Sequence, residues 1–170
     1  SLMSGILPEG SEPVKLLTDA MMQELLRRAQ SSPRRRVNFN FHPDLADNPH
    51  RFLNVMLRGS YFTPHRHLHP PKAETFLVLE GEVAFVIFEE SGTITAVHRM
   101  GATGVRGIDI APGVWHTLLV LSPHAVCFEV KPGPYLVTTD KEFAPFAPAE
   151  GSPLCGEYLE GLERQIAGRS

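Results

Sequence analysis

The chain has 170 residues, of which 42% are hydrophobic, and its formal net charge is -3 at pH 7. These values are typical of one soluble globular domain that buries a core without disulfides or a structural metal. No basic stripe is present to bind a nucleic-acid backbone, and no apolar segment reaches the length of a membrane span. We therefore expect neither nucleic acid nor membrane as a partner.

The cellular compartment is predicted from two features. The first residues contain no apolar segment of the length that a signal peptide requires. The two cysteines, Cys127 and Cys155, have a spacing typical of neither a disulfide framework nor a CxxC metal clip. We expect a cytoplasmic protein.

The amino-terminal part of the chain predicts a lead-in and one helix. Residues 1–14 mix Gly, Pro, Ser and Glu without periodicity, which predicts a flexible lead-in. In residues 15–33, Thr18 or Asp19 can cap a helix that ends before Pro33. Apolar side chains recur at i, i+3, i+4 and i+7 on this helix, namely Met22, Leu25, Leu26 and Ala29. We expect the helix to pack on the domain.

Residues 34–135 are predicted to form a barrel, because hydrophobicity there has a period of two. Residues 37–42 begin the pattern, followed by strands at 51–57, 60–67, 75–79, 82–88, 93–99, 107–110, 115–121 and 125–130. Gly, Pro and Ser turns join them. This organisation predicts an all-β jelly roll with a minor N-terminal helix, followed at residues 136–170 by a C-terminal wrap and a weak helix.

The first predicted strand carries a polar stripe along one face. Its members are Arg36, Asn38, Asn40 and His42. The stripe is either the solvated face of an edge strand or a row of donors to a ligand pocket, and both interpretations stay open.

A group of histidines and one acid predicts a metal site. His65 and His67 are two residues apart in an extended segment, so their imidazoles project from one face. Glu74 begins the next apolar run, and His116 follows a Pro-Gly turn. Neutral imidazole and carboxylate ligands suit borderline divalent ions, so we expect one ion of Zn, Fe, Mn or Ni.

These residues resemble the two motifs of the cupin superfamily. The first motif, G(X)5HXH(X)3-4E(X)6G, is approached by Gly59, His65, His67, Glu74 and Gly81. The second, G(X)5PXG(X)2H(X)3N, is approached by Gly113 and His116, with Ala111 and Val120 in place of its Pro and Asn. The resemblance implies a cupin-type double-stranded β-helix, and homodimerisation by analogy.

The spacing before the acid leaves one alternative ligand. Six residues, rather than three or four, separate His67 from Glu74, so His67 and His69 also fit the motif's distance to the acid. We favour His65 and His67, because Gly59 then stands at the motif distance from the first histidine. A Pro-Pro pair directly after His69 would also end the strand there.

More closely, the chain is similar to the WbuC family of cupin-fold metalloproteins over about residues 16–151. The similar strings are residues 34–40, 59–61, 64–67, 112–116, 129–135 and 139–145, together with Glu74. This resemblance implies a metal-binding cupin, in bacteria often linked with surface-polysaccharide gene sets. It implies no particular reaction.

Hypotheses from different classes stay open. One is a metalloenzyme acting on a small polar molecule such as a carbohydrate or sugar nucleotide, as a metal-dependent isomerase or epimerase or as an Fe or Mn oxygenase. The others are a non-catalytic, metal-dependent ligand-binding cupin and a metal-free sugar epimerase. Candidates for proton transfer are Tyr61, His42 and Tyr135. Candidates for substrate binding are Arg36, Asn38, Asn40 and Lys131.

Overall fold

The computed structural model describes residues 5–169, so the first four residues of the predicted lead-in lie outside it. Residues 5–18 contain turns but neither helix nor strand. The elements that follow are α1 (Asp19–Gln30), β1 (Arg36–Asn40), β2 (His50–Leu57), β3 (His65–Arg66), β4 (Glu74–Glu80), β5 (Glu82–Phe88), β6 (Ile94–Gly101), β7 (Gly107–Ile110), β8 (Trp115–Val120), β9 (His124–Lys131), β10 (Glu142–Phe143) and α2 (Cys155–Ala167). Neither helix in the described residues has the length and apolarity needed to cross a membrane.

The strands form two five-stranded antiparallel sheets. The first sheet has the order β1-β2-β9-β4-β7 and the second the order β10-β3-β8-β5-β6. Chain neighbours such as β3 and β4 lie in different sheets, which is the crossing pattern of a jelly roll. The predicted all-β jelly-roll fold is confirmed.

The inner faces of the two sheets enclose the main core. Phe76 of β4 faces Phe85 of β5 across the sandwich, with ring centroids 4.8 Å apart. Met56, Val83 and Leu118 belong to the same buried cluster. Burying each side chain of this size contributes roughly 1.5–3 kcal/mol, so this apolar layer is a main source of stability.

A helix covers the outer face of each sheet. Helix α1 begins at Thr18, whose hydroxyl accepts a hydrogen bond from the Met21 amide, and it buries Met21 and Leu25 against β2. Helix α2 buries Leu162 and Ile166 on the outer face of the second sheet. The segment predicted to hold only a weak helix therefore forms a full helix of 13 residues.

Two local expectations differ from the structure. The strand predicted at 60–67 is reduced to His65–Arg66, because residues before it bond outside a ladder: the Phe62 carbonyl accepts from the Thr117 hydroxyl. The apolar ring of Phe143, in the predicted C-terminal wrap, favours burial against the barrel, but this side chain is 59% exposed. Phe146 in the same segment does pack, against Phe88 and Trp115.

The turn between β4 and β5 depends on Gly81. Its φ is +78°, and a Cβ placed there would lie 2.3 Å from the His124 carbonyl oxygen. The glycine of the first motif therefore serves the close approach of β4 to β9.

Candidate metal centre

Four buried side chains converge at one end of the space between the sheets. They are His65, His67, Glu74 and His116, and their ligand atoms all lie within 4.8 Å of one another. His65 and His116 face each other as cross-strand partners of β3 and β8. Glu74 comes from β4 of the other sheet. The centre therefore joins both sheets.

Strand alternation explains why these side chains point inward. Glu74, Phe76 and Val78 share one face of β4, and His116 and Leu118 share one face of β8. The apolar members of both rows belong to the main core. The polar cluster thus terminates the core rather than interrupting it.

A main-chain carbonyl orients each imidazole. The Nδ1 atoms lie against the carbonyl oxygens of Thr63 for His65 (2.9 Å), of Val114 for His116 (2.9 Å) and of Asp140 for His67. Because a carbonyl only accepts, each Nδ1 carries the hydrogen and each Nε2 keeps its lone pair. This arrangement is typical of metal-binding histidines.

The donor set fits a divalent ion. The Nε2 atoms of His67 and His116 and the Oε1 atom of Glu74 are buried without a hydrogen-bond partner in the described part of the chain. His67 Nε2 and Glu74 Oε1 are in direct contact although neither atom carries a hydrogen to share. Unpaired buried polar atoms are costly, and a shared cation would satisfy all three. Burial lowers the pKa of His65 and of His116, which favours the neutral imidazole that binds metals.

A cavity of about 540 Å³ opens beside the cluster. Its polar walls come from β1, the loop after β1, β2, β9 and the segment after β9. The polar side chains are those of Arg36, Asn38, Asn40, His42, His50, Asn54, Glu129, Lys131, Tyr135, Asp140 and Lys141. The polar stripe predicted on the first strand therefore lines this cavity. Because β1 is also the edge strand of its sheet, the stripe is both part of an edge strand and part of the cavity wall.

The candidate substrate-binding residues differ in whether their polar groups already have partners within the protein. The Arg36 guanidinium is paired with Glu150 at 2.7 Å and lies over the Phe62 ring. The Lys131 ammonium is paired with the buried carboxylate of Asp140 at 3.0 Å. Asn38 and Asn40 line the cavity without a side-chain hydrogen bond among the described residues.

The candidates for proton transfer are separated by the fold. His42 and Tyr135 line the cavity, and the His42 ring stacks on His50 at 4.0 Å. Tyr61 does not line it, because its hydroxyl donates to the Pro148 carbonyl at 2.5 Å. Tyr61 thus anchors the C-terminal segment and does not reach the centre.

His69, the alternative ligand, lies outside the cluster. It is exposed on the loop between β3 and β4. This loop contains the six residues that separate His67 from Glu74, and its Lys72 amide donates to the His67 carbonyl. The extra residues therefore form a loop and leave the inward face of β4 in place.

Glu129 and Lys141 line the cavity but were not among the sequence candidates. Glu129 is buried and accepts a hydrogen bond from Asn54 at 2.9 Å, and burial is the first cause that raises its pKa to about 8. Its signal in the sequence was an acid two residues after Cys127, on the inward face of an apolar strand. Lys141 was missed because its position depends on how β10 pairs with β3.

Comparisons with known proteins support the fold. Residues 17–100, which contain three of the four cluster residues, match the model of a domain of unknown function, DUF6016. No protein of curated function matches the sequence. One similar solved structure is CapF, a capsular polysaccharide assembling protein from Staphylococcus aureus, at 20% identity and a TM-score of 0.53 over 62% of this chain and 31% of CapF. This chain thus spans less than a third of CapF.

For two further structures, the alignment covers a larger share of the matched protein than it does for CapF. An oxalate oxidase, in complex with the substrate analogue glycolate, is 16% identical with a TM-score of 0.52 over 82% of this chain and 76% of that one. The DMSP lyase DddQ from Ruegeria pomeroyi DSS-3 is 16% identical with a TM-score of 0.50, over 67% and 54%. The chain has the cupin fold.

Proposed function

We propose that this protein is a divalent-metal cupin enzyme that acts on a small polar molecule, a carbohydrate or a sugar nucleotide. One observation carries the proposal: the ligand atoms of His65, His67, Glu74 and His116 converge beside a cavity of about 540 Å³. Four protein ligands leave one or two positions open on an ion that prefers five or six neighbours. A substrate oxygen can occupy them.

The cavity walls support catalysis over a purely structural metal. When bound, the ion would polarise a substrate oxygen as a Lewis acid. Glu129 would exchange a proton with the substrate from β9, the strand next to β4, and Asn54 holds its carboxyl in place. Asn38 and Asn40 would bind hydroxyl groups near the open edge. A metal that only braced the fold would need none of these groups.

A role in surface-polysaccharide biosynthesis is the finer part of the proposal. It rests on the similarity to the WbuC family, and the fold shared with a capsular polysaccharide assembling protein is consistent with it. The partner we propose is therefore a small molecule. Homodimerisation stays a prediction, which light scattering of the purified protein measures.

Elemental analysis of protein purified without a metal-chelating column tests the metal. We expect close to one equivalent of Zn, Fe, Mn or Ni in the wild type and loss of it in a His65→Ala, His116→Ala double variant. His69→Ala is the matched control, because it removes an exposed imidazole next to the cluster. Metal absent from the wild type, or lost equally in the His69 variant, would contradict the proposed centre.

The identified metal then directs the substrate screen. Zn favours isomerisation, epimerisation or hydrolysis, whereas Fe or Mn adds oxygen-dependent reactions. Glu129→Gln should keep the metal and lose turnover by about 10²–10⁴-fold, the usual contribution of acid–base catalysis. Ligand binding without turnover across the screen would favour the non-catalytic, metal-dependent binding cupin. A metal-free wild type with epimerase activity would favour the third hypothesis.

A further inference from the structure

Lys141 lies on the cavity side of the short strand pair between β10 and β3. Phe143 faces His65 across this pair, and Glu142 faces Arg66. Cross-strand partners share a face, and residues two apart in an extended segment also share one. Lys141 and Phe143 therefore point to the side of the metal ligand His65, and both line the cavity.

The backbone on either side of Lys141 is held in place. The Asp140 carboxylate is buried between two ammonium groups, at 3.0 Å from Lys131 and 3.5 Å from Lys72. On the other side, the Glu142 carboxylate binds the Arg66 guanidinium at 2.6 Å. These contacts fix where the lysine side chain begins, so its direction into the cavity is built into the fold.

Lys141 also differs from the other cavity cations in its partners. Arg36 is ion-paired with Glu150, and Lys131 with Asp140. No ion pair or side-chain hydrogen bond of Lys141 occurs among residues 5–169; its charge acts on Glu129 and Glu74 only from beyond ion-pair distance. Lys141 is exposed where the cavity opens, so its ammonium is free to pair with an anionic ligand that enters there.

The positive charge of Lys141 lies in the same cavity as the candidate metal ligands. A divalent ion with one carboxylate ligand keeps a positive charge, and Lys141 adds another at the same end of the cavity. A neutral sugar would leave both charges without a counterpart.

We propose that Lys141 binds an anionic group, a phosphate or a carboxylate, on the molecule whose oxygen reaches the metal centre. This inference rests on the proposed function and names its substrate class, an acidic or phosphorylated small molecule. Lysine suits both groups as a point charge with three donors.

Calorimetric titration with three probes of one skeleton tests the inference. The probes are glucose 6-phosphate, glucuronate and glucose, and the protein is used with the metal it carries after purification. We expect at least one anionic probe to bind the wild type more tightly than glucose does. Lys141→Met should weaken anion binding by about ten- to hundredfold and leave glucose unchanged. Lys141→Arg should restore most of the affinity.

The control variant distinguishes a specific role of Lys141 from the effect of removing any one positive charge. Arg106→Met removes an exposed cation outside the cavity and should leave every affinity unchanged. The stronger of the two anionic probes identifies phosphate or carboxylate as the group recognised. Equal anion binding by wild type and Lys141→Met, equal loss of glucose binding, or no anion binding to the wild type would each overturn the inference.

Metal analysis of the same samples keeps the two proposals apart. A metal-free protein whose anion binding still depends on Lys141 would overturn the metalloenzyme and leave the anion site standing. A metal-loaded wild type that binds neither anion would overturn the anion site and leave the metal centre standing.

Discussion

The Nδ1 atom of His67 donates its hydrogen to the main-chain carbonyl of Asp140, a residue 73 positions later in the chain. The segment after the barrel therefore orients the imidazole of His67, a candidate metal ligand inside the barrel. The same aspartate pairs with two buried lysines through its side chain. One residue thus connects the C-terminal wrap, the cavity wall and the candidate metal centre.

Replacing the Asp140 side chain should destabilise the fold. Asp140→Ala leaves the ammonium groups of Lys72 and Lys131 buried without their partner, which we expect to cost about 3–5 kcal/mol in the free energy of unfolding. Urea denaturation measures it. Glu163→Gln, which changes an exposed acid on α2, should stay within about 0.5 kcal/mol of the wild type. An equally small effect at Asp140 would show that the lysines find other partners.

Removing the metal should lower the thermal stability of the wild type only. An ion present at about 100 times its dissociation constant contributes about 2.7 kcal/mol, and each kcal/mol raises the Tm by about 2–4 °C in a protein of this size. We expect EDTA to lower the Tm of the wild type and of His69→Ala by about 5–10 °C. The His65→Ala, His116→Ala variant should not respond, and a response there would place the stabilising ion elsewhere.

Acid should weaken the contact between the start of the barrel and the C-terminal segment. The hydrogen bond from Arg34 is the main cause that lowers the pKa of Glu150 to about 2, and Arg36 lowers it further against the opposing effect of burial. Because the folded pKa lies below the usual 4.5, this contribution is fully present above pH 4.5 and is lost as the pH falls towards 2.

Unfolding measured between pH 7 and pH 2.5 checks this dependence. Glu150→Gln removes the titrating group, so its stability should fall less steeply below pH 4.5 than that of the wild type. Parallel curves for the two proteins would contradict the assignment of the acid sensitivity to this pair.

A pair of glycine variants separates backbone strain from steric clash. Gly81 and Gly104 both have positive φ, +78° and +73°, but only Gly81 lacks room for a Cβ. Gly104→Ala should cost about 1–2 kcal/mol, from the left-handed backbone alone. Gly81→Ala should cost about 1–3 kcal/mol more, because its Cβ meets the main chain of β9. Equal losses in denaturation would remove the steric argument.

Local patterns were enough to predict most strands and the jelly roll. A period of two identifies a strand and its two faces, and the inward rows that begin with Glu74 and His116 follow from it. The pattern within one strand does not predict which other strand it pairs with. Lys141 enters the cavity only because β10 pairs with β3, and Tyr61 is directed away because its hydroxyl finds the Pro148 carbonyl.

The exposure of Phe143 has the same explanation. Its apolar ring predicted burial, but its register opposite His65 places it at the cavity mouth, where water reaches it. Hydrophobicity alone predicts that a side chain seeks cover, and it does not specify which surface provides that cover.

Three of the four ligands come from strands of two different sheets, and this has a mechanical consequence. An ion bound to Glu74 of one sheet and to His65 and His116 of the other would act as a cross-link at the end of the sandwich. The sheets could then separate at that end only when the ion dissociates. Hydrogen exchange of the amides in β4 and β8 should therefore report metal dissociation and sheet opening as one event.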